Sequence, residues 1–529
     1  MKKTAKQIIR DCDKAYQKKG KWDNLYREVF EYMMPGRDVE KSPGDDVHNQ
    51  IYSSIGEQSA DRFVDRVQNI LTPVTVDWIK FEAGYMIKQQ NDGNVTEINK
   101  ELDKLANICN VFKNTSNFDV AMTEFYYDLI AGTACLLLLE GTYENPLRFI
   151  AVPIKELAIA EGIFGEVGEV YRKFKMKPEL IKRQWTQAKF EYENNYERDD
   201  KERELVESTY YDYDKKMWIY TVILKEGEKV IVEREYKSNP FIILRWTKCS
   251  GEVYGRGLGL KSIKDVKTLN LIMEYSLRAM AFTIPVFIAQ QDASFDPDDF
   301  VLKPGALNMV PSTASNNPSV TQLPVNVTHD IQAYQTERME MNIKRNMMDS
   351  TIPNDPSRDI TATEIAERAN ELKAILSNSF GRIMTELMYP LIRRIVEVLQ
   401  YFGYVPEENI DVRDFNGFGY TIVVNTQLAN QQSQTEVQNT INALQLLFSL
   451  DPQGQYAMKC VDMNKAVPFI LEKMGVPKNL INTPETITAL QEQEAQNIAQ
   501  AQDTEAERQI AVSNAIEKGK ADAKVQAGR

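Results

Sequence analysis

A glycine-rich stretch is the part of this 529-residue chain that most resembles a site of chemistry. Residues 255–262 read Gly-Arg-Gly-Leu-Gly-Leu-Lys-Ser, follow a predicted strand and open a predicted helix, which is the setting of phosphate-binding loops. A Walker loop needs glycine, lysine and serine in direct succession, whereas Leu260 separates Gly259 from Lys261. The dinucleotide fingerprint fails too, because it needs two residues before its last glycine. We therefore favour tight backbone packing here, and keep a nucleotide-binding enzyme that uses 255–262 as an alternative.

Other residue combinations that support catalysis or metal binding are missing from the sequence. The two histidines, His48 and His329, lie in polar surroundings without ligand spacing, which argues against a histidine triad or a three-histidine zinc site. Four aspartates crowd one loop, but their spacing is not that of an EF-hand, so a solvated loop is favoured. These aspartates are Asp292, Asp296, Asp298 and Asp299. We therefore expect no catalytic site and no bound cofactor or metal, and we do not expect an enzyme.

The composition is that of an acidic globular protein. Hydrophobic residues make up 43% and charged residues 26% of the chain, which is long enough to build several cores. The net charge of −13 disfavours static binding of nucleic acid, because neutralising phosphates requires a basic surface. Five scattered cysteines form no CxxC pair and suit a reducing compartment. The most apolar run, Leu129–Leu139, is too short to cross a bilayer, so we expect a soluble intracellular protein without a membrane partner.

Two helical rods of equal length organise the chain. The first is predicted over Ser262–Phe282 and the second over Thr328–Met348, each roughly 30 Å long at about 1.5 Å per residue. Apolar residues recur along one side of each rod at steps of three, four or seven, which predicts a narrow apolar stripe. They are Ile263, Val266, Leu269, Met273, Leu277 and Met280 in the first rod, and Tyr334, Met341 and Met348 in the second. Because such stripes bury too little to stabilise a single pair of rods, we expect them to contact neighbouring copies of the chain.

A third long helix is predicted after a short polar link, Asp349–Ile360, whose two prolines prevent the second rod from continuing. This helix begins with the capping box Thr361-x-x-Glu364 and extends to Phe402. Pro390 lies inside it and should kink it, because proline removes one hydrogen bond of the helical ladder.

The remaining chain predicts an α+β body. Before the rods, helices are expected at 4–34 with a break near Gly20, and at Asn49–Leu71, Glu97–Lys113, Phe118–Ala131 and Pro178–Tyr192. Strands are expected at Trp78–Phe81, Leu136–Glu140, Leu147–Val152, Leu157–Glu161, Glu169–Phe174, Leu205–Tyr213, Trp218–Leu224, Lys229–Glu235 and Phe241–Trp246. The segment between the rods, Ile284–Val327, is expected to be a small β module with strands at Val286–Ala289, Leu307–Val310 and Thr321–Leu323. After the third helix we expect a strand at Tyr420–Asn425, short helices at Glu436–Leu450, Lys465–Met474 and from Thr486, and an Ala/Gln/Glu-rich tail from Gln491 that is helical or disordered.

The order of these motifs resembles that of the portal, or head-to-tail connector, proteins of short-tailed double-stranded DNA bacteriophages. The resemblance is carried by Tyr-Gly-Arg-Gly (254–257), Leu-Asn (269–270), Pro-Gly-Ala-Leu-Asn (304–308) and Thr-Ala-Thr-Glu-Ile (361–365) with Glu367 and Arg368. The opening with Trp22, Tyr26, Tyr32 and Pro35 and the segment Pro73–Trp78 look similar too. No single motif is diagnostic, but their order within the helix–insertion–helix–loop–helix plan is specific over Lys21–Leu450.

The resemblance implies a helix-rich α+β subunit with named parts. These are a wing (1–261), a two-helix stem (262–283 and 328–348), a β-rich clip (284–327), a tunnel loop (349–360), a long kinked wing helix with a returning strand (361–426), a helical crown (427–490) and a tail (491–529). In that family twelve copies form a ring at one capsid vertex, and the genome passes through its bore. Such a protein lies in the virion at the portal vertex, and in the host cytoplasm during assembly.

The resemblance also implies what individual residues would contact. Lys344, Arg345, Asn354, Ser357 and Arg358 would face the channel and DNA, and Asp292, Asp296, Asp298 and Asp299 of the clip would face the packaging motor and tail adaptors. The stem interface would consist of Ile263, Val266, Leu269, Met273, Leu277, Met280, Tyr334 and Met341. The implied partners are further copies of the chain, double-stranded DNA in transit, the terminase packaging motor, tail adaptor proteins, and capsid and scaffolding proteins.

A second alternative is a filament-type or scaffold-type interaction protein. It would use the same long helices in an open assembly. A head-to-tail contact that closes makes a ring, and one that does not close makes a filament.

Overall fold

The structure is a computed structural model that describes most of the chain up to residue 424. The described ranges are 2–37, 51–74, 76–90, 95–163, 165–185, 202–282, 287–289, 320–322, 329–349, 379–406, 411–415 and 417–424, with scattered residues between 437 and 493. The chain divides into two compact units, Met1–Asn425 and Thr426–Arg529.

Where the structure describes them, the helices predicted in the first unit are present at the predicted places. The described helices are α1 (Ala5–Met33), α2 (Ile55–Leu71), α3 (Tyr85–Gln90), α4 (Val95–Thr115), α5 (Phe118–Ala131), α6 (Pro178–Gln184), α7 (Leu258–Phe282), α8 (His329–Asn346) and α9 (Tyr389–Tyr401). The short α3 is the addition that the sequence pattern did not predict.

The first helix, α1, is continuous, so the predicted break near Gly20 is wrong. Thr4 caps its first turn, with its hydroxyl accepting from the Gln7 N–H and the Gln7 side chain accepting from the Thr4 N–H. Next to the glycine, Lys19 is buried and its ammonium donates to the Ile154 carbonyl at 2.6 Å. Because packing fixes the helix at this point, it tolerates a glycine that costs about 1 kcal/mol relative to alanine.

In the part of the chain that the structure describes, the strands form four antiparallel sheets, and the architecture is α+β, as predicted. The strands are β1 (Ile79–Ala83), β2 (Thr133–Glu140), β3 (Leu147–Val152), β4 (Leu157–Glu161), β5 (Val167–Met176), β6 (Arg203–Asp212), β7 (Met217–Leu224), β8 (Lys229–Tyr236), β9 (Phe241–Arg245), β10 (Phe287–Ala289), β11 (Val320–Gln322) and β12 (Tyr420–Val424). The sheets have the orders β4-β5-β6-β7-β8, β3-β2-β9, β1-β12 and β10-β11.

The five-stranded sheet packs one of its faces against α1. Alternate residues of the strands meet the apolar side of the helix, because successive side chains of a strand point to opposite faces. The shared core consists of Ile8, Cys12, Ala15, Ala158, Tyr171, Val206, Tyr210, Ile219 and Ile223. The hairpin predicted about Glu226-Gly227 is present, since β7 and β8 pair from Trp218 opposite Tyr236 to Leu224 opposite Lys229.

Several predicted boundaries need correction or cannot be compared. Helix α2 begins at Ile55 rather than Asn49, and the Tyr52 N–H before it is held by the Asn270 side chain at 2.7 Å. Helix α6 ends at Gln184, because Trp185 leaves the helical backbone conformation. The residues predicted as strand 307–310, as helix 186–192 and as the start of the third helix, 361–378, lie outside the described residues.

A kink was predicted at Pro390. The structure has a π-helical turn before it, Ile383–Met388, which leads directly into α9. In a regular α-helix, the N–H of residue 390 would donate to the Glu386 carbonyl. Proline has no N–H, so that bond cannot form. The wider turn lies immediately before Pro390 and carries the side chain of Glu386 towards β9, where it forms an ion pair described below.

The second unit is described at few positions. Residues 440–447 are helical and lie within the helix predicted at Glu436–Leu450, and residues 466–467 and 470–471 are helical within the predicted Lys465–Met474. Within the described part of the chain, we find no helix whose length and apolar character would let it cross a bilayer.

An ionisable group is buried where α5 meets the turn between β3 and β4. Burial raises the pKa of the Asp128 carboxyl to about 7, and the opposing effects of the Arg37 guanidinium and the Ile154 N–H are smaller. The Arg37 Nη1 atom lies 3.9 Å from the Asp128 Oδ1 atom, too far for a hydrogen bond. Folding therefore favours the protonated acid at this position.

We predict that Asp128→Asn reduces the pH dependence of stability between about pH 4 and 7. A carboxyl whose pKa is raised on folding stabilises the native state below its unfolded pKa, and this contribution is lost as pH rises through the folded value. At pH 8 the free energy of unfolding of the variant should therefore exceed that of the parent by up to about 4 kcal/mol, and the variant should unfold at a higher temperature. Near pH 4 the difference should be smaller. Thermal unfolding of both proteins across this range measures the effect, and a difference that stays constant with pH would contradict it.

We also predict that Gly20→Ala stabilises the protein by about 0.5–1 kcal/mol, because alanine loses less conformational freedom in a helix. A Cβ atom added at Gly20 would meet no other atom within 4 Å. Gly257→Ala is the matched substitution that should destabilise the protein, since its Cβ atom would lie 2.0 Å from the Ile130 carbonyl oxygen. Differential scanning calorimetry should show a higher midpoint for the first variant and a lower one for the second. A lower midpoint for Gly20→Ala would mean that α1 needs the glycine.

Candidate functional site

The glycine-rich stretch at the start of α7 is packed against the end of α5 and the start of β2. Cβ atoms added at Gly255 and Gly257 would lie 2.2 Å from the Gly132 oxygen and 2.0 Å from the Ile130 oxygen, so only glycine fits. The Gly255 N–H donates to the Thr133 hydroxyl at 2.8 Å, and the Gly257 N–H donates to the Ala131 carbonyl at 3.1 Å. A phosphate-binding loop needs such N–H groups for its ligand. These two are used within the chain, which supports the packing interpretation over a nucleotide site.

Aromatic residues of α1 cover this junction. The Tyr26 hydroxyl donates to the Gly255 carbonyl at 2.8 Å and lies 3.2 Å from the Thr133 hydroxyl. The Trp22 ring lies 5.7 Å from the Tyr254 ring, centroid to centroid. Burial raises the pKa of the Tyr26 hydroxyl, so it stays protonated and keeps donating. The start of α7 is therefore fixed on three sides by α1, α5 and β2.

The apolar stripe predicted along the first rod divides into two parts. Ile263, Val266 and Leu269 are buried within the chain, with Val266 against Gly56 of α2. Met273 is half-buried, and Leu277 is 53% exposed. The sequence hypothesis placed all of these side chains between subunits. The structure instead covers the first three with helices of the same chain, and leaves Leu277 available for a neighbour.

Exposed apolar side chains extend beyond that stripe. Leu271 and Tyr275, one turn apart on α7, are 46% and 58% exposed, and Met341 of α8 is 57% exposed. By contrast, Ile343 of α8 and Met347 in the turn after it are buried, although the spacing by sevens did not select them. The side chains of the remaining predicted interface residues, Met280 and Tyr334, are outside the described part of the chain.

The end of α8 is anchored to α2 by an ion pair. The Asp349 carboxylate is fully buried and accepts from Arg62 Nη1 at 2.7 Å, while Arg66 Nη2 lies 3.7 Å away. Arg66 also donates to the Met348 carbonyl. The Asp349 N–H donates to the Lys344 carbonyl at 2.7 Å, which closes the last helical turn in the Schellman manner.

Met348 occupies the position where such a helix end usually has glycine. Its φ angle of 60° lies in the left-handed region, which costs a side-chain-bearing residue roughly 1–2 kcal/mol. The Met348 side chain is buried, so packing offsets part of that cost. The point at which the chain leaves α8 is therefore fixed both by backbone hydrogen bonds and by the ion pair of Asp349.

The π-helical turn is anchored to β9 by a second ion pair. Glu386 accepts from the Arg245 guanidinium, with Nη2 to Oε1 at 2.6 Å, and from the Arg245 N–H at 3.0 Å. Arg382, one turn earlier, donates to the same carboxylate at 2.8 Å. Because the Arg245 N–H points away from β2, the carboxylate also satisfies a backbone group on the edge of the three-stranded sheet.

A third cluster fixes α9 to the sheets. The guanidinium of Arg394 is fully buried and donates to Glu140 at 2.9 Å and to Glu397 at 3.0 Å, 3.9 Å from the centre of the Tyr236 ring. Burial opposes the charge of Arg394, but Glu397 and Glu140 outweigh it and raise its pKa. For Glu140, burial acts to raise the pKa of the carboxyl. The charges of Arg394 and Arg234 outweigh burial and hold that pKa below its usual value. Both groups therefore stay ionised.

The predicted channel and docking residues are only partly described. Lys344 and Arg345 lie in the last turn of α8, where Lys344 is half-buried and Arg345 is exposed. Asn354, Ser357 and Arg358 of the link lie outside the described residues, as do Asp292, Asp296, Asp298 and Asp299 of the insertion. What the structure describes of the insertion is β10 paired with β11, from Phe287 opposite Gln322 to Ala289 opposite Val320.

Metal-binding groups are not assembled in the described part of the chain, where no cluster of three or more histidine, cysteine, aspartate or glutamate side chains could hold an ion. His329 is the first residue of α8, and His48 lies outside the described residues. Cys12, Cys109 and Cys135 are buried thiols, and burial raises the pKa of each. Buried thiols of raised pKa are poor nucleophiles.

Comparison with known proteins decides the family. The sequence model of the family described as "Bacteriophage head to tail connecting protein" matches residues 5–481. The chain belongs to this family. Curated relatives in the same comparison include a probable portal protein of Bordetella phage BPP-1, 22% identical over 426 residues that cover 71% of this chain and 72% of the relative. The portal protein of Enterobacteria phage T3 is 20% identical over 369 residues, 67% of each chain.

Solved structures similar to this head-to-tail connecting protein come from gene transfer agent (GTA) particles. One belongs to the virion of the native particle, with a TM-score of 0.35, 10% identity, and coverage of 79% of this chain and 89% of that chain. Another belongs to the neck of the native particle computed with C12 symmetry, with a TM-score of 0.34, 9% identity, and coverage of 79% and 94%. Similarity at this level carries no structural argument, so the family assignment depends on the sequence comparisons.

We predict that Asp349→Asn destabilises the anchor of α8 in this connector protein. The substitution keeps the shape of the side chain but removes the charge that pairs with Arg62 and Arg66, and a lost charged hydrogen bond costs about 1.5–3 kcal/mol. Hydrogen–deuterium exchange should quicken at 341–349. Asp61→Asn is the matched control, because Asp61 is on the same helix as Arg62 but exposed, where it accepts from Tyr127. Equal exchange in parent and Asp349→Asn would show that the ion pair does not hold the helix end.

Proposed function

We propose that this protein is the portal subunit of a bacteriophage, forming a ring-shaped channel at the capsid vertex through which DNA is packaged, retained and ejected. The observation that carries the proposal is the family match over residues 5–481, which includes both rods, the insertion and the link. Two relatives named as portal or probable portal proteins support it. In this role the ring lies in the virion and serves as the docking site for the packaging motor and the tail.

Exposed apolar side chains on the two rods support assembly with further copies. Leu271, Tyr275, Leu277 and Met341 would each remove apolar area from water on assembly, and fully burying such a side chain contributes about 1.5–3 kcal/mol. A surface of this kind that contacts a different surface on the next copy forms a ring if the rotation closes. Twelve copies is the number that we take from the family.

The parts of the portal subunit follow from the same assignment. In our proposal residues 1–261 form the wing, α7 and α8 form the stem, and 284–327 form the clip that docks the motor and the tail adaptors. Residues 349–360 form the tunnel loop, 361–426 the wing helix and returning strand, 427–490 the crown and 491–529 the tail. The β10–β11 pair supports a β-rich clip between the stem helices.

The tunnel loop has a fixed first residue. Asp349 does not contribute its charge to the bore in our proposal, because its carboxylate is buried against two arginines. The remaining charges of the loop are Asp355, Asp359 and Arg358. With Lys344 and Arg345 at the end of α8, the region then presents a nearly balanced set of charges that can make transient contacts with sliding DNA, which suits passage better than tight binding.

The proposal is tested by electron microscopy of the purified full-length chain. Closed rings with a central channel are expected. Open filaments would favour the scaffold-type alternative instead. Particles assembled without this chain should lack packaged DNA, and normal DNA-filled heads in its absence would contradict the proposed role.

We predict that Leu277→Asp and Tyr275→Asp each prevent ring formation while leaving a folded monomer. Both side chains are more than half exposed in the single chain, so the substitutions disturb assembly rather than folding. Burying an unpaired carboxylate in every interface costs several kcal/mol per copy. Thr268→Asp is the matched control, since Thr268 is exposed but lies two turns before Tyr275, in the part of the helix that packs within its own chain. Size-exclusion chromatography with light scattering should show monomers for the first two variants and rings for the control. Normal rings of both apolar-site variants would remove α7 from the interface.

A further inference from the structure

Three aromatic rings line a pocket at the tip of the β6–β7 hairpin. Tyr211 of β6 lies directly opposite Trp218 of β7 in the strand register, and the ring centroids are 5.3 Å apart. Tyr213, two residues after Tyr211, lies 5.1 Å from the Tyr211 ring at an interplanar angle of 84°. The two tyrosine rings therefore meet edge to face and form adjoining walls at a steep angle.

The rings are on the face of the five-stranded sheet that does not pack against α1. Tyr210 and Ile219, a directly opposed pair, point into the core with α1, so the next residues along each strand, Tyr211 and Trp218, point to the other face. Tyr213 is 62% exposed. Tyr211 and Trp218 are half-buried, so Tyr213 is the exposed wall of the pocket.

Carboxylates from the neighbouring strands complete the pocket. The turn between β4 and β5 contributes the carboxylates of Glu161 and Glu166 together with Ile163, which is 74% exposed. The pocket has a volume of about 540 Å³. Its rim already holds one lysine from the same chain, since the Lys248 ammonium lies 2.7 Å from the Glu161 carboxylate.

We propose that this pocket binds a lysine or arginine side chain from a basic segment of another protein. A cation over the face of tyrosine or tryptophan is attracted by the negative face of the ring, and aromatic pockets rimmed by carboxylates select cations for that reason. The same carboxylates repel phosphate, so DNA is not the occupant. The pocket contains Trp218, whose other side borders a larger cleft between β9 and α9 with Lys237, Arg393 and Arg413 among its lining residues.

The charge of the whole chain indicates that the basic segment comes from a different protein. A chain with a net charge of −13 attracts a basic partner at long range. A basic side chain also binds most favourably where carboxylates and aromatic rings both contact it, as they would at this hairpin tip. The proposal does not depend on ring formation, because every residue of the pocket comes from one chain.

The experiment uses the full-length chain and a fluorescein-labelled nonapeptide with one arginine among glycines and serines. The same peptide with citrulline in place of arginine keeps the shape and removes the charge. At 150 mM salt, fluorescence anisotropy should give an affinity at least about tenfold higher for the arginine peptide. Tyr213→Ala should reduce the affinity for the arginine peptide to that for the citrulline peptide, and Glu166→Gln should weaken it in the same direction.

Tyr401→Ala is the matched control, because Tyr401 is 67% exposed at the end of α9 and does not line the pocket. This variant should bind the arginine peptide as well as the parent does. Equal binding of the arginine and citrulline peptides, or an equal loss in Tyr401→Ala, would overturn the proposal. It would also be overturned if Tyr213→Ala dissociated the assembled protein while Tyr401→Ala did not, since the occupant would then be a second copy.

Discussion

Ion pairs between arginine and carboxylate, each with one side chain buried, fix the long helices of this chain to its sheets and to α2. Asp349 pairs with Arg62, 287 residues away, and Glu386 pairs with Arg245, 141 residues away. Such pairs contribute little net stability over an apolar contact, but removing one partner leaves a buried charge and costs several kcal/mol. Their main effect here is therefore geometric, because each pair permits one position of the helix against the body.

If α7 and α8 form the stem as we propose, this constraint decides which part of them can meet a neighbouring copy. The start of α7 is enclosed by α1, α5 and β2, and the end of α8 is held by Asp349. The apolar side chains of α7 are buried by the same chain up to Leu269. After that residue, Leu271, Tyr275 and Leu277 are exposed. In the proposed ring, a subunit built in this way would present its interface on helices whose ends are anchored to its own body, which suits an assembly that must keep its channel open.

The sequence predicted the elements well, because periodicity and turn chemistry are local. The hairpin about Glu226-Gly227 and the helices at 97–113 and 118–131 follow from patterns within a few residues. The apolar stripe of α7 was predicted too, but periodicity does not tell whether a stripe is covered by the same chain, as at Leu269, or left for a neighbour, as at Leu277. That distinction depends on packing with distant helices.

The anchors and the aromatic pocket were missed for the same reason. Nothing near Asp349 in the sequence distinguishes it from the other acidic residues of the link, since its partners are on α2. Tyr211 and Tyr213 alternate as residues on one face of a strand would, and this signal could have drawn attention to the hairpin tip. The opposing glutamates come from other strands, and only the fold brings them together.

Hydrogen–deuterium exchange on the assembled protein and on its dissociated subunit tests most directly whether α7 is divided between an internal part and an interface. We expect assembly to slow exchange at residues 270–280 and to leave residues 258–269 unchanged, because the latter are already enclosed within one chain. Slower exchange confined to 258–269, or no change anywhere along α7, would contradict the division of this helix.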